Sequence, residues 1–521
     1  MTWKAWVSKA LLLGLVGLAV LYGITSLAWP LGWDQGIMAW VGSVVASGGF
    51  PFRDAWDPKG PASYLPFAAA SAVGGQLPIA YRAAELVLLS GGALATGSVV
   101  RALGLRGAAP FAGLALLLTQ PSLGYRATLQ PDQWAGWLLA GAVAITLGRP
   151  RRWWLSCLAG GLVGVATLIK PQYGLFILIP LAGAWSGAEE SKWKGIWLIL
   201  GGAAAPVLAC LAWFRTGNGL DAFVDGYVVA NLEARLDRSG QIVPFGRGVR
   251  MAAGAMPFVL PLAIAAMFGL GACWGRSRRD AAFLLAWVAL IVAGLGLQGR
   301  WFPYVWTPGI PPLVVLGIVG LAHLLAPPAA GQPTVMRRLR LVLAIGLGLF
   351  AAGLASRPLV RESKAFASLA LGRIDRMEYL SRYRGTGLNF SAEEVARAAE
   401  YLTRVTSPDE CVLVWPEPSV NVLAGRRTPT RFATVAALTR YNRTARRERY
   451  QAEFLAALEL RPPSLILIDS MATANRPGYL GDLVTRFPRF LRLVHEGYAL
   501  AGTIGKYAIW VPHHPPSRRC P

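Results

Sequence analysis

The acidic and basic residues of this chain that could do chemistry fall at the ends of apolar runs. Asp34 follows the first such run, and Asp54, Asp57 and Lys59 come soon after, within "GGFPFRDAWDPKGPASY". Asp132, Lys170 and Arg300 hold comparable positions in "LQPDQWAGW", "ATLIKPQYG" and "GRWFPYVWTPGIPP", and Arg126, Asp225 and Arg235 join them. Ionisable groups at a membrane boundary are unfavourable unless solvated, paired or used. A carboxylate can accept a proton and a fixed cation can hold developing negative charge, so acids and bases mixed on one boundary have the makings of a catalytic site. Asp34 carries two readings. It opens "DQGIMAWVGSVVAS", whose apolar residues allow an amphipathic helix lying along the interface. Its carboxylate either caps the backbone N–H groups of that helix or serves catalysis. Pro58 and Pro61 push the residues before them out of the α region, so Lys59 is expected on a stiff loop rather than a mobile tail.

The elements that must position these residues are membrane spans. Of 521 residues 54% are hydrophobic and only 15% charged, too apolar a balance for an ordinary soluble enzyme. The net charge of +24 is dispersed in short clusters such as "RPRR" and "RSRR" between apolar runs, which argues against nucleic acid as a partner and for cytoplasmic loops. A bilayer core needs about 20 apolar helical residues per crossing. Eleven runs qualify, some of them short or interrupted by proline: 8–30, 78–100, 107–122, 132–148, 153–169, 172–188, 195–214, 251–274, 281–298, 304–326 and 341–356. The first has no convincing cleavage site and reads as a retained span. With the N-terminus inside, alternate loops are short and basic, and the C-terminus falls outside.

Beyond residue 356 the chain stops being membrane-like, giving an expected division into a transmembrane domain, 1–356, and a soluble α/β domain, 357–521, on the outer side. "NFSAEEVARAAEYLTRV" has Ser391 three residues before Glu394, a capping-box start to an amphipathic helix. "CVLVW" and "SLILID" read as buried strands with "RRERYQAEFLAALEL" helical between them, and "FLRLVHEGY" and "YAIWVP" as a hairpin. Cys157, Cys210 and Cys273 sit in apolar runs as small hydrophobes. Cys411 and Cys520 could meet in an oxidising compartment, but the sequence does not supply the Cα separation a bridge requires, and none is expected. The stretch 225–240 reads as an amphipathic surface helix or a lid. His513 and His514 lack further ligands, and no P-loop, dinucleotide fingerprint or Ser-His-Asp signature occurs.

An acidic residue just after the first span, an interfacial helix and then "GGFPFRDAWDPKGPASY" together resemble the first outer loop of bacterial GT-C membrane glycosyltransferases, the group of protein O-mannosyltransferases and aminoarabinose lipid A transferases. The placements of Asp132 and Lys170 and the segment "GRWFPYVWTPGIPP" fit the same group, and the likeness extends in layout over roughly residues 1 to 356. Two positions depart from its branches: Gln35 stands where the mannosyltransferases often have Glu, and Pro58 where the lipid A branch tends to have an acid. The resemblance implies transfer of a sugar from a polyprenyl-phosphate donor to an acceptor hydroxyl, on a glycan, a lipid or a protein, at the outer face of the bacterial cytoplasmic membrane. In such a transfer Asp34 is the general base and Asp132 orients the acceptor or the sugar hydroxyls. Lys59, Lys170 and Arg300 hold the leaving phosphate, and Trp56, Asp57, Tyr64 and Tyr304 contact substrate. Trp33, Trp301 and Trp306 stack on sugar or form an interfacial belt. No cofactor is required; Asp54 and Asp57 leave a divalent cation open but lack the further ligands of a metal motif. The competing readings are a transporter or lipid flippase, which would place ionisable groups near mid-membrane and show repeated halves, and a non-catalytic scaffold, which would tolerate Asp34→Asn.

Overall fold

The structure is a computed structural model describing residues 3–149, 152–186, 189–236, 245–298, 302–327, 333–385, 389–440, 445–474, 481–514 and 520. It is a polytopic helical membrane protein carrying a small sheet near its C-terminal end. Every one of the eleven apolar runs lies on a helix. Seven helices among the described residues are long and apolar enough to cross a membrane: Lys9–Leu27, Pro78–Ala102, Lys192–Thr216, Val259–Arg276, Arg278–Gln298, Pro303–Leu325 and Thr334–Ala370. The remaining runs form shorter helices, among them Ala109–Ala127, Pro131–Leu147 and Trp153–Ile169. Three runs are not single α-helices, 304–326 being the 3-10 helix Pro303–Gly309 followed by Ile310–Leu325. The run 172–188 starts as the 3-10 helix Pro171–Ile177 before Leu178–Trp185, and 251–274 breaks around Pro257 into Phe245–Ala255 and Val259–Arg276. Proline lacks the N–H that would continue the ladder, which accounts for the break around Pro257.

Two compact units, each assembled from non-contiguous segments, make up the chain. The first comprises Met1–Ser26, Glu85–Cys210 and Gln241–Lys364. Its helices pack through small residues. A Cβ on Gly269 would fall 2.0 Å from the Leu316 carbonyl oxygen and one on Gly320 1.9 Å from that of Ala265, so Val259–Arg276 and Ile310–Leu325 meet backbone to backbone. Close approach of this kind is how helices associate where lipid removes the hydrophobic drive.

The second unit comprises Leu27–Ala84, Leu211–Gly240 and Ala365–Pro521. The 27–84 and 211–240 segments therefore fold with the C-terminal domain. Strands β1 (Arg384–Gly385) and β2 (Phe390–Ser391) form a short antiparallel pair. The main sheet has the order β3 (Val412–Trp415), β4 (Leu465–Asp469), β6 (Tyr507–Pro512), β5 (Tyr498–Ile504), with β3 and β4 parallel and the other pairings antiparallel. Helix Ala445–Leu460 supplies the crossover between the parallel strands, as parallel pairing requires. Ser391 caps Ala392–Val405 by accepting the Glu394 N–H, as its spacing predicts. The expected hairpin is corrected: "PRFLRLVHEG" is a helix, Pro488–Gly497, with Pro488 opening it and Phe490 and Val494 buried one turn apart. The hairpin is instead β5 with β6. Helix Trp33–Ala46 packs on the short helix Ser419–Ala424, where a Cβ on Gly36 would lie 1.9 Å from Ser419 Oγ.

Cys411 and Cys520 form a disulfide, contrary to the sequence expectation. The Cys520 N–H donates to the Asp409 carbonyl at 2.8 Å, which brings the chain end beside the start of β3 and the two Cα atoms to 4.9 Å. The bridge closes a loop with a sequence separation of 109. Replacing both cysteines by alanine is expected to lower the stability of this unit by about 2–4 kcal/mol. Thermal unfolding of the full chain in detergent, followed by hydrogen exchange across β3 and β4, measures it; unchanged protection of both strands would refute the expectation.

Candidate active site

The stretch "WDPKGPASY" closes on itself. After Pro61 the chain turns through the 3-10 helix Pro61–Tyr64, which returns Tyr64 to the start of the stretch. The Tyr64 hydroxyl, 3.0 Å from Asp57 Oδ2, the Asp57 carbonyl and the Lys59 carbonyl, divides its donation among them. Asn231 donates to the Pro58 carbonyl at 2.9 Å. Backbone acceptors on both sides of Lys59 are thus held, and its ammonium lies 3.3 Å from Asp57 Oδ2 and 3.6 Å from Asp34 Oδ1. Asp34, with a side chain 33% exposed, is the accessible acid of the three-membered cluster, whereas Asp57 is buried.

The two readings of Asp34 separate in this geometry. Gly32 is the N-cap of Trp33–Ala46, and Gln35 caps the helix by accepting the Gly32 N–H at 2.6 Å. Asp34 sits in the first turn, where the positive end of the helix dipole favours a carboxylate. Its nearest charge is the Lys59 ammonium. Gln35 is thereby explained as a capping residue, fully buried, at a position where the resembled family often carries Glu.

Burial raises the Asp57 carboxyl above its ordinary value, against the opposing pull of Lys59 and with a further push from Asp34. The Tyr64 hydroxyl is also held well above the usual range by burial and the adjoining Asp57 carboxylate. Trp56 does not face a substrate as expected. It is fully buried, its backbone N–H donates to the Arg431 carbonyl at 2.8 Å, and its ring packs on Phe432 and Tyr450 in the domain core. An aromatic side chain beside a charged loop gives no sequence signal that distinguishes a sugar platform from an anchor.

The 220–236 segment also holds this loop. Phe52, at φ 67°, is enclosed by Tyr64, Phe214, Phe223 and Tyr227. Asp225 is bound by Arg446, by Arg449 at 2.7 Å and by the Tyr450 hydroxyl at 2.6 Å. Within 225–240 the chain is helical, a π-helical turn at Val224–Val229 followed by Ala230–Leu236, preceded by the short helix Leu220–Phe223; the stretch 237–240 lies outside the described residues. Asp225, expected among the site's ionisable groups, is a structural clasp, and Asn231 is a contact that sequence reasoning missed. A lone Asn in an amphipathic pattern carries no such signal.

The first unit contains its own cluster. Asp132 lies in the first turn of Pro131–Leu147, where Gln133 caps by accepting the Gln130 N–H. Its buried carboxylate accepts from Lys170 Nζ at 2.7 and 2.8 Å and from the Tyr173 hydroxyl at 2.6 Å. Lys170, at the end of Trp153–Ile169, is therefore paired with Asp132, and Tyr173 is a further partner not singled out from sequence. Tyr304 stacks on Phe302, ring centroids 5.8 Å apart, at the start of Pro303–Gly309. Arg300 and Trp301 lie outside the described residues. Asp54 is held by Arg53 at 2.6 Å and Asp57 by Lys59, so both carboxylates proposed for a divalent cation are engaged by cations of the chain itself. Among the described residues no group of three or more His, Cys, Asp or Glu side chains could hold a metal.

This helical scaffold with its terminal α/β domain has the GT-C fold. The chain is similar to ArnT from Cupriavidus metallidurans bound to undecaprenyl phosphate, with a TM-score of 0.60 and 15% identity over 98% of each chain. The apo form of that protein gives 0.59 and 15%, covering 97% of this chain and 98% of that one. AglB from Archaeoglobus fulgidus, in complex with an inhibitory peptide and a dolichol-phosphate, gives 0.47 and 14%, covering 96% and 74%. No protein-family model matches the sequence, and no curated protein matches it.

The raised Asp57 carboxyl makes a pH prediction. Because the folded state keeps this proton to higher pH than the unfolded chain does, its contribution to stability is full below 3.8 and is lost as pH rises through the raised value. Asp57→Asn is expected to remove that part of the slope in a profile of thermal midpoint against pH. A slope identical to that of the unaltered protein would refute it.

Proposed function

We propose that this protein transfers a sugar from a polyprenyl-phosphate donor to an acceptor hydroxyl at the outer face of a bacterial cytoplasmic membrane. The observation that carries the reading is the 3.6 Å approach of the accessible Asp34 carboxylate to Lys59, on a loop whose backbone is fixed on either side of the lysine. The acceptor oxygen attacks the anomeric carbon, its proton passes to Asp34, and the bond to the phosphate oxygen breaks with both electrons going to the phosphate. Lys59 stabilises that phosphate more as its charge develops than in the bound donor. In the free enzyme the same ammonium rests on Asp34, and a donor phosphate that draws it away leaves the carboxylate open to the hydroxyl. Protonation of Asp57 is eased by burial and reduces repulsion towards the incoming phosphate.

Lys170 and Arg300 are assigned to phosphate as well, Asp132 orients Lys170, and Tyr304 contacts the donor. The acceptor is a glycan, a lipid or a protein. Outward placement of the C-terminal domain is supported by its disulfide, which belongs to an oxidising compartment, and by the basic loops on the alternate side. The likeness of fold to a protein solved with undecaprenyl phosphate supports the donor class.

The test reconstitutes the full chain in proteoliposomes with a panel of undecaprenyl-phosphate sugars and follows sugar transfer. Asp34→Asn is expected to lower kcat by about 10²–10⁴-fold with little change in donor KM. Lys59→Met is expected to lower kcat and raise donor KM together. Turnover equal to the unaltered enzyme in both variants would remove the two residues from the mechanism.

A further inference from the structure

A cavity of about 620 Å³ lies in the second unit, away from Asp34, within the size range of small-molecule sites. Ser43 and Ser47, near the C-terminal end of Trp33–Ala46, form one wall, Ser71 and Gln76 another, and Thr403 on Ala392–Val405 a third. Ser43 is nine residues from Asp34 on the same helix, about 14 Å at 1.5 Å per residue.

No lining residue is charged. The hydroxyls are not equivalent donors and acceptors. Ser43 donates to the Trp40 carbonyl, Ser47 to that of Ser43, and Thr403 to that of Ala399. With their protons committed, these three present lone pairs. The wall is therefore rich in neutral acceptors, complementary to a molecule that offers several hydroxyl donors and no charge. A phosphate or carboxylate would meet lone pairs and no cation here.

We infer that this cavity binds neutral sugar residues of a glycan. In the reaction proposed above it would hold part of the acceptor, and the inference rests on that reading only for this role, because binding needs no turnover. The sugar could belong to a soluble glycan chain or to the headgroup of a neutral glycolipid.

Saturation-transfer NMR on the full chain in nanodiscs, without donor, tests it in two arms. One adds neutral oligosaccharides, maltotetraose and mannotetraose; the other builds glucosyl-diacylglycerol into the nanodisc. Saturation of sugar protons in either arm is expected, and the positive arm identifies the source. Thr403→Trp, at an exposed position on the rim, is expected to weaken binding by about tenfold or more while the thermal midpoint holds. Ser47→Leu provides a second obstruction from the opposite wall. Absence of saturation in both arms, or binding untouched by both variants, would overturn the inference. So would displacement of the sugar by phosphatidylglycerol alone, which would mark the cavity as a lipid headgroup site.

Discussion

A lysine ammonium between two carboxylates is the constraint on which the site depends. Lys59 lies 3.3 Å from one acid and 3.6 Å from the other, and only one of those acids is open to solvent. Removing charges from water is unfavourable unless their partners are well placed, and truncating one partner leaves the other stranded. The loop therefore cannot relax without exposing an uncompensated charge. Its prolines withhold N–H donors, and Tyr64 and Asn231 hold its carbonyls from two directions. The stiffness expected from proline alone is in fact shared between proline and these two hydrogen-bond donors.

Holding the loop is a task for the whole second unit. Trp56 is sunk among Phe432 and Tyr450, Arg431 donates to the Phe52 carbonyl and also pairs with Glu453, and Asp225 clasps the helix that carries Tyr450. Residues separated by hundreds of positions in sequence thus converge on nine consecutive ones. The terminal domain thus supports the loop that carries Lys59.

Most of the membrane architecture was legible because apolar runs of sufficient length have few alternatives, and the loop charges alternate with them. The loop carrying Asp57 and Lys59 was legible because Asp, Lys and Pro at close spacing beside a span are chemically unusual. What stayed hidden depended on distant partners. Asp132 and Lys170 were both singled out, but their mutual pairing joins residues 38 apart in sequence. Trp56 read as a substrate contact because exposure is not written in residue type. The segment before β5 read as a strand because Phe490, Leu491, Leu493 and Val494 satisfy short apolar templates of either kind, and only the burial of Phe490 and Val494 one turn apart selects the helix. The Cys411–Cys520 bridge depended on a backbone hydrogen bond that no spacing rule supplies.

The interleaved composition of the second unit bears on how chains of this architecture can be recombined. A chimera that exchanged only residues 365–521 would graft a foreign domain onto native segments 27–84 and 211–240, leaving Trp56, Phe52 and Asp225 facing surfaces they were not shaped for. The transplantable module is all three segments together, although they are dispersed along the gene. Recombination breakpoints between the three segments should accordingly be selected against.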